Sequence, residues 1–208
     1  MAKPSFTLQD AEVIQQDRAY NGFFKIDCYQ LKHRLFQGGW SNPLSREVMV
    51  RRPATAVLLY DPHHDQVVIV EQFRVGALAA NDKNPWLIEI VAGIIETGET
   101  AEDVAIREAK EEANCDIQQL LPICEYYPSP GGCSEKLHLF CGIIDTSVVV
   151  EGVFGLAEEG EDIRVSCIPA KQAITMVQDG KINNAASIIA LQWLALNKSD
   201  IQERFSQT

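Results

Sequence analysis

The sequence predicts an α/β fold, an α/β/α sandwich built on a mixed sheet with extra antiparallel strands at the N-terminus. Three observations predict it. Apolar runs of strand length, "TAVLLY", "QVVIVEQF" and "PWLIEIVAG", occupy the middle of the chain. A capped segment with helical spacing follows them at 101–113, and two further helix-like segments, near 169–179 and 184–197, close the chain. With 208 residues, 46% of them hydrophobic, there is enough apolar material for a substantial core.

Residues 12–36 alternate apolar and polar side chains around "FFKIDCYQLKHRLF", which predicts two or three antiparallel strands before the loop "QGGWSNP". This gives an N-terminal β segment over 1–50 and a main domain over 51–208, with no Pro/Gly/Ser linker between them. "TAVLLY" and "QVVIVEQF", joined by "DPHHD", predict a hairpin of half-buried strands. His63 and His64 fall in that turn and read as solvent-exposed rather than as metal ligands. "PWLIEIVAG" reads as one strand, followed by the turn "ETGET" and a helix from Ala101 to Ala113. Thr100 and Asp103 are spaced as a capping box, with Asp in place of the usual Glu or Gln. Ala101, Val104, Ala105 and Ala109 make a small-residue packing face, and the glutamates take the other. Strands follow near 117–127, 136–144 and 162–168, separated by "PSPGGCSE" and the acidic loop "EGVFGLAEEGE".

The net charge of -11 excludes a general affinity for nucleic acid or anionic membrane, both of which need basic patches. A small anionic substrate is still accommodated if a metal and a few arginines reverse the field locally. No apolar run approaches the roughly 18 residues of a membrane span, and the opening residues lack the apolar core of a secretory signal, so the expected location is the cytoplasm. The six cysteines form no C-x-x-C pair and no zinc-like grouping with the histidines, and read as free thiols in a reducing compartment.

The stretch "REAKEEAN" crowds Glu108, Glu111 and Glu112 onto one side of its helix. Carboxylates at such spacings repel by a few tenths of a kcal/mol per pair when exposed, and by more in a cleft. A solvated, charge-laced face is the plain reading of a Glu-rich helix, but its surroundings argue otherwise. Gly93, Glu99 six residues later, and Arg107 and Glu108 ahead of Glu111 and Glu112 complete a fixed spacing. The segment "GIIETGETAEDVAIREAKEEANC" resembles the Nudix box, G-x5-E-x7-R-E-U-x-E-E-x-G-U with U apolar. Asn114 stands where the box has glycine, and Asn is the next most tolerant residue for a left-handed helix cap.

From about Tyr20 to Leu196 the chain looks like the bacterial ADP-ribose pyrophosphatases, through "GFF", "HRLF", "PWLIEIVAG", "SPGGCSE", "GLAEEGEDIRV" and "NAASIIALQWL". Pro130, fifteen residues past the box, resembles that subgroup's marker. The resemblance implies a Nudix fold and hydrolysis of ADP-ribose to AMP and ribose 5-phosphate with two or three Mg²⁺ ions per site, Mn²⁺ serving as substitute. It implies that Glu108, Glu112, Glu161 and the Ala92 carbonyl hold the metal. Glu111 acts in support or through water, and Arg107 and Glu99 orient the glutamates. Glu159 is the general base, with the neighbouring loop carboxylate Glu158 as the other choice.

For the substrate, the resemblance implies Arg74 and Ile94, with Arg46, Glu47 and Arg51 offering further contacts; surface salt bridges are the plain alternative for the arginines. Phe23 and Phe24 would stack on adenine, or else serve as ordinary strand core. Ser129, Pro130, Gly131 and Glu135 would line the ribose side, or simply make a tight turn. The family's N-terminal strands exchange between subunits of a homodimer. Hydrolysis of GDP-mannose or ADP-glucose is the enzyme alternative, and a ligand sensor without catalysis is a different class, disfavoured by the intact charged positions of the box and the acidic chain.

Overall fold

In a computed structural model, residues 6–156 and 160–205 are described. They fall into two compact units, one drawn from Met1–Arg52 and Tyr127–Lys136, the other from Pro53–Tyr126 and Leu137–Thr208. The first holds a three-stranded antiparallel sheet in sequence order, β1 (Ala11–Asn21), β2 (Lys25–His33) and β3 (Leu44–Val50). All eleven residues of β1 are exposed. The segment "PSPGGCSE" docks beside β3: the Met49 N–H donates to the Gly132 carbonyl at 2.8 Å, and the Ser134 N–H to the Met49 carbonyl at 3.1 Å. Phe23 and Phe24 lie between β1 and β2 rather than within a strand, so neither is strand core; they are 86% and 42% exposed.

The second unit contains β4 (Ala54–Asp61), β5 (Gln66–Phe73), β6 (Trp86–Glu89), β7 (Val91–Ile94), β8 (Gln119–Tyr126), β9 (Leu137–Ile143), β10 (Gly152–Phe154) and β11 (Ile163–Pro169). Its helices are α1 (Val75–Ala79), α2 (Ala101–Ala113), α3 (Ala170–Gln178) and α4 (Ala185–Phe205). The strands form one sheet, ordered β10-β11-β5-β4-β9-β8 with β6 on β5 and β7 on β4. The sheet is mixed because β4 and β9 run parallel while its other pairs are antiparallel.

Alternation along the strands divides the core in two. Ala56, Leu58, Tyr60, Val67 and Ile69 pack with Ala173 of α3 and Ala190, Leu191 and Leu194 of α4. Val57, Leu59, Val68 and Val70 pack with Ala105, Ala109 and Ala113 of α2. The result is the expected α/β/α sandwich. Each fully buried Val, Leu or Ile contributes roughly 1.5–3 kcal/mol.

The sandwich also explains where the sequence reading falls short. β4 is buried along its whole length, not half-buried, because helices cover both faces. "PWLIEIVAG" forms two strands, not one. β4 and β5 pair at Leu59↔Val68 through Asp61↔Gln66 and then separate, and β6 and β7 fill the gap, one on each. At the junction, the Ile90 N–H donates to Ser187 Oγ of α4 at 3.1 Å instead of to a strand. The loop after β9 carries the short strand β10, and α1 follows β5; neither has a periodic signal long enough to read. α4 continues to Phe205, well past residue 197, because Ile201 is buried and Lys198 reaches Asp65 at 2.8 Å.

Candidate active site

α2 starts at Thr100, whose hydroxyl accepts from the Asp103 N–H at 3.1 Å while Asp103 accepts from the Thr100 N–H at 3.1 Å. It stops at Asn114, which adopts the left-handed conformation with φ 48° and ψ 33°. Between these ends, Val104, Ala105, Ala109 and Ala113 anchor the helix on the sheet. That rotation also turns Glu112 inward, to 3% exposure, so the glutamates do not all occupy the face opposite the packing residues.

Glu112 Oε2 accepts from the Ala92 N–H of β7 at 3.2 Å. A strand residue directs its N–H and C=O to the same side, so the Ala92 carbonyl shares the edge that Glu112 reaches. Burial pushes the Glu112 carboxyl up to about 8, reinforced by the charges of Glu108 and Glu161. Burial likewise pushes Glu108 up to about 6, against the pull of Arg107. Glu108 packs so closely on Gly93 that any Cβ there would overlap its carboxylate, which is why the segment begins with glycine. Glu161 occupies similar space beside Gly155, where a Cβ would lie 2.7 Å from the Glu161 Cβ; its carboxylate accepts from the Leu156 N–H at 2.9 Å.

Arg107 ties the acidic groups together. Its Nε donates to Glu99 at 2.9 Å, and its Nη1 donates to Glu108 and Glu111 at 2.9 Å each. Glu99 also accepts from the Glu96 N–H at 3.0 Å, fixing the loop ahead of α2. The Arg107 guanidinium, then the Glu96 N–H, hold the Glu99 carboxyl below its usual range. Arg74 donates to Glu89 at 2.7 Å, and its charge also favours ionised Glu112. Ile94 ends β7, opposite Ala54 of β4.

Sequence reasoning missed Glu89. Its signal was a lone carboxylate inside the apolar run "PWLIEIVAG". Burial pushes its carboxyl up against the attraction of Arg74. Glu159, the expected base, lies outside the described residues, as does Glu158.

The other expected contacts belong to the first unit. The Phe23 and Phe24 ring centroids are 5.0 Å apart in an edge-to-face pair. The Arg51 guanidinium lies 5.4 Å from the Phe24 centroid, and its Nε lies 3.1 Å from Glu135. The Ser129 carbonyl accepts from the Gly132 N–H at 3.2 Å, so Pro130 and Gly131 are the middle residues of a tight turn. Arg46 and Glu47 are neighbours on β3 and point to opposite faces, and Arg46 donates to the Ser45 carbonyl at 2.7 Å.

Asp61, His64 and Asp145 bring ligand-type atoms within 4.8 Å of one another. His63 and His64 are both exposed. The Asp61 oxygens accept from the His63 and His64 N–H groups and from Thr146 N and Oγ1, and Oδ2 lies 2.7 Å from His64 Nδ1. This is a satisfied knot joining the β4–β5 turn to the loop after β9.

Glu108, Glu112 and Glu161, whose charges reach one another, and the Ala92 edge offer hard oxygen donors with more negative charge than their burial favours, which suits a divalent cation bound with part of its water shell. The chain is 42% identical to an ADP-ribose pyrophosphatase of Haemophilus influenzae over 98% of this chain and 94% of that one. It is 43% identical to the ADP-ribose pyrophosphatase of Escherichia coli K12 over 97% and 96%, and 36% identical to a GDP-mannose pyrophosphatase of Klebsiella pneumoniae over 72% and 74%. A crystal structure described as an ADP compounds hydrolase shares the fold at TM-score 0.69 and 18% identity, covering 95% of this chain and all of its own. The NUDIX domain profile matches residues 50–193, more than half of the chain, and the chain belongs to that family.

Proposed function

We propose that this chain is a Mg²⁺-dependent Nudix pyrophosphatase that hydrolyses ADP-ribose to AMP and ribose 5-phosphate. The observation that carries the reading is Glu112, buried on the Ala92 N–H with the charges of Glu108 and Glu161 beside it. Glu108, Glu112, Glu161 and the Ala92 carbonyl would hold two or three ions. Such ions supply charge neutralisation at the diphosphate, activation of water and stabilisation of the leaving oxygen.

The side chains do the rest. Arg107 and Glu99 keep Glu108 and Glu111 oriented. Glu159 takes the proton as water attacks phosphorus, and the P–O–P anhydride bond breaks. Arg74 and Ile94 are assigned to the diphosphate. Phe23, Phe24, Arg46, Glu47, Arg51, Ser129, Pro130, Gly131 and Glu135 contact the nucleotide and ribose. Two chains act as a homodimer that exchanges N-terminal strands, a reading supported by the exposed Val13, Ile14 and Phe36. No helix among the described residues is long and apolar enough to cross a membrane, and the six free thiols support a cytoplasmic location.

Separate incubations with ADP-ribose, ADP-glucose and GDP-mannose in Mg²⁺ test the reading, with Glu112→Gln as control. AMP and ribose 5-phosphate released preferentially from ADP-ribose, and lost in the variant, are the expected result. Preference for GDP-mannose, in keeping with the 36% identical relative, would move the substrate assignment; no release from any of them would favour a ligand sensor.

A further inference from the structure

Gln72 is a buried polar residue whose hydrogen bonding the fold does not explain. It is 8% exposed, and its amide nitrogen Nε2 has no partner among the described residues. A buried donor left unpaired costs folding free energy that an apolar side chain of the same shape would not.

Its position is informative. Val68 and Val70 of β5 pack with α2, so Gln72 and Arg74, at the same parity on the extended chain, lie on the α2 side. Leu87 and Glu89 of β6 pair opposite Gln72 and Val70. On the other flank Arg164 pairs with Glu71, and the antiparallel register brings Ile163, part of the α2-side core, beside Gln72. Glu161 is two residues further along. Gln72 therefore stands two residues before Arg74 on the α2 side of the sheet, and the Arg74 charge reaches Glu112.

The carboxylates of the acidic cluster and Glu89 already have donors. Glu89 has Arg74, Glu112 has the Ala92 N–H and Glu161 has the Leu156 N–H. The unmatched amide awaits an additional acceptor. A diphosphate supplies acceptor-only oxygens, and a neutral amide can bind one without changing the charge of the acidic cluster.

We infer that Gln72 is a substrate-binding residue whose Nε2 donates to a nonbridging oxygen of the diphosphate on the Arg74 side of the site. This rests on the nucleotide-sugar reading above, but not on which sugar or base is bound, since the diphosphate is common to all of them.

The test uses the full chain and Gln72→Met, close to isosteric and without a donor, with Gln72→Leu as a second variant. kcat/KM is measured on whichever nucleotide sugar the wild type cleaves, and Kd is measured by calorimetry for its methylene-bridged analogue, which cannot be hydrolysed. The expected result is a roughly 10- to 100-fold loss in both quantities for both variants, with a melting temperature unchanged or raised, because the unpaired donor is gone. Affinity and kcat/KM within twofold of wild type would overturn the inference while leaving the function intact. A joint fall in melting temperature and affinity in both variants would overturn it in favour of a structural role. A wild type that neither cleaves nor binds any of these compounds would overturn the functional reading and this inference with it.

Discussion

Replacing Glu112 with glutamine should abolish hydrolysis yet stabilise the chain in EDTA at alkaline pH. Glu112 is almost fully enclosed, beside Glu108 and Glu161, and its carboxyl is pushed up to about 8 from an ordinary 4.5. The folded chain thus holds this proton more tightly than the unfolded chain does. Stability conferred by the protonated form is intact below about pH 4.5 and declines as pH rises towards 8. At about 1.4 kcal/mol per pH unit, the ionised side chain costs on the order of 5 kcal/mol at pH 8.5. Glutamine keeps the shape and the acceptor for the Ala92 N–H without the charge. Urea denaturation at pH 5 and pH 8.5 gives the two stabilities. The variant should match wild type within about 1 kcal/mol at pH 5 and exceed it by several kcal/mol at pH 8.5. An equal difference at both pH values would refute the argument that the buried charge dominates.

Gly93→Ala should cost about 1–3 kcal/mol of stability, because Glu108 must turn away from its Cγ outward, and lower kcat/KM by about 100-fold or more, because that carboxylate then leaves its place; denaturation and turnover of the same preparation check both. Millimolar Mg²⁺ should raise the wild-type melting temperature and leave that of Glu112→Gln nearly unmoved in the same scan. Asn114→Gly should keep near-normal activity, whereas Asn114→Ala should lose about 1 kcal/mol at the left-handed position, read from denaturation midpoints. Burial would raise the Asp61 carboxyl, but hydrogen bonds from Thr146 and His64 hold it below its usual range. Its contribution is therefore present above about pH 4 and lost as pH falls through the acid range. Asp61→Ala should remove about 3 kcal/mol at neutral pH, measured by urea denaturation.

The candidate site was legible to the extent that it is local. Glu99, Arg107, Glu108 and Glu111 meet because spacing along one helix and its preceding loop brings them together, and the Thr100–Asp103 cap and the Asn114 stop followed from residue chemistry. Arg74 could be singled out, but its partner Glu89 could not, because that contact depends on how β6 lies against β5. Phe23 and Phe24 carried an alternating pattern compatible with a strand, and only the hairpin decided that they sit at the turn.

The sequence by itself determined the α/β class, the N-terminal antiparallel strands and the acidic helix, since these depend on periods of two and 3.6 and on capping residues a few positions apart. Tertiary structure alone decided that β4 and β5 part to admit β6 and β7, that Glu112 faces inward to the Ala92 N–H, and that Gln72 Nε2 is enclosed without a partner among the described residues. The physical reason is common to all three. Burial and pairing between residues distant in sequence depend on which surfaces meet, and that information is absent from any local window of the chain.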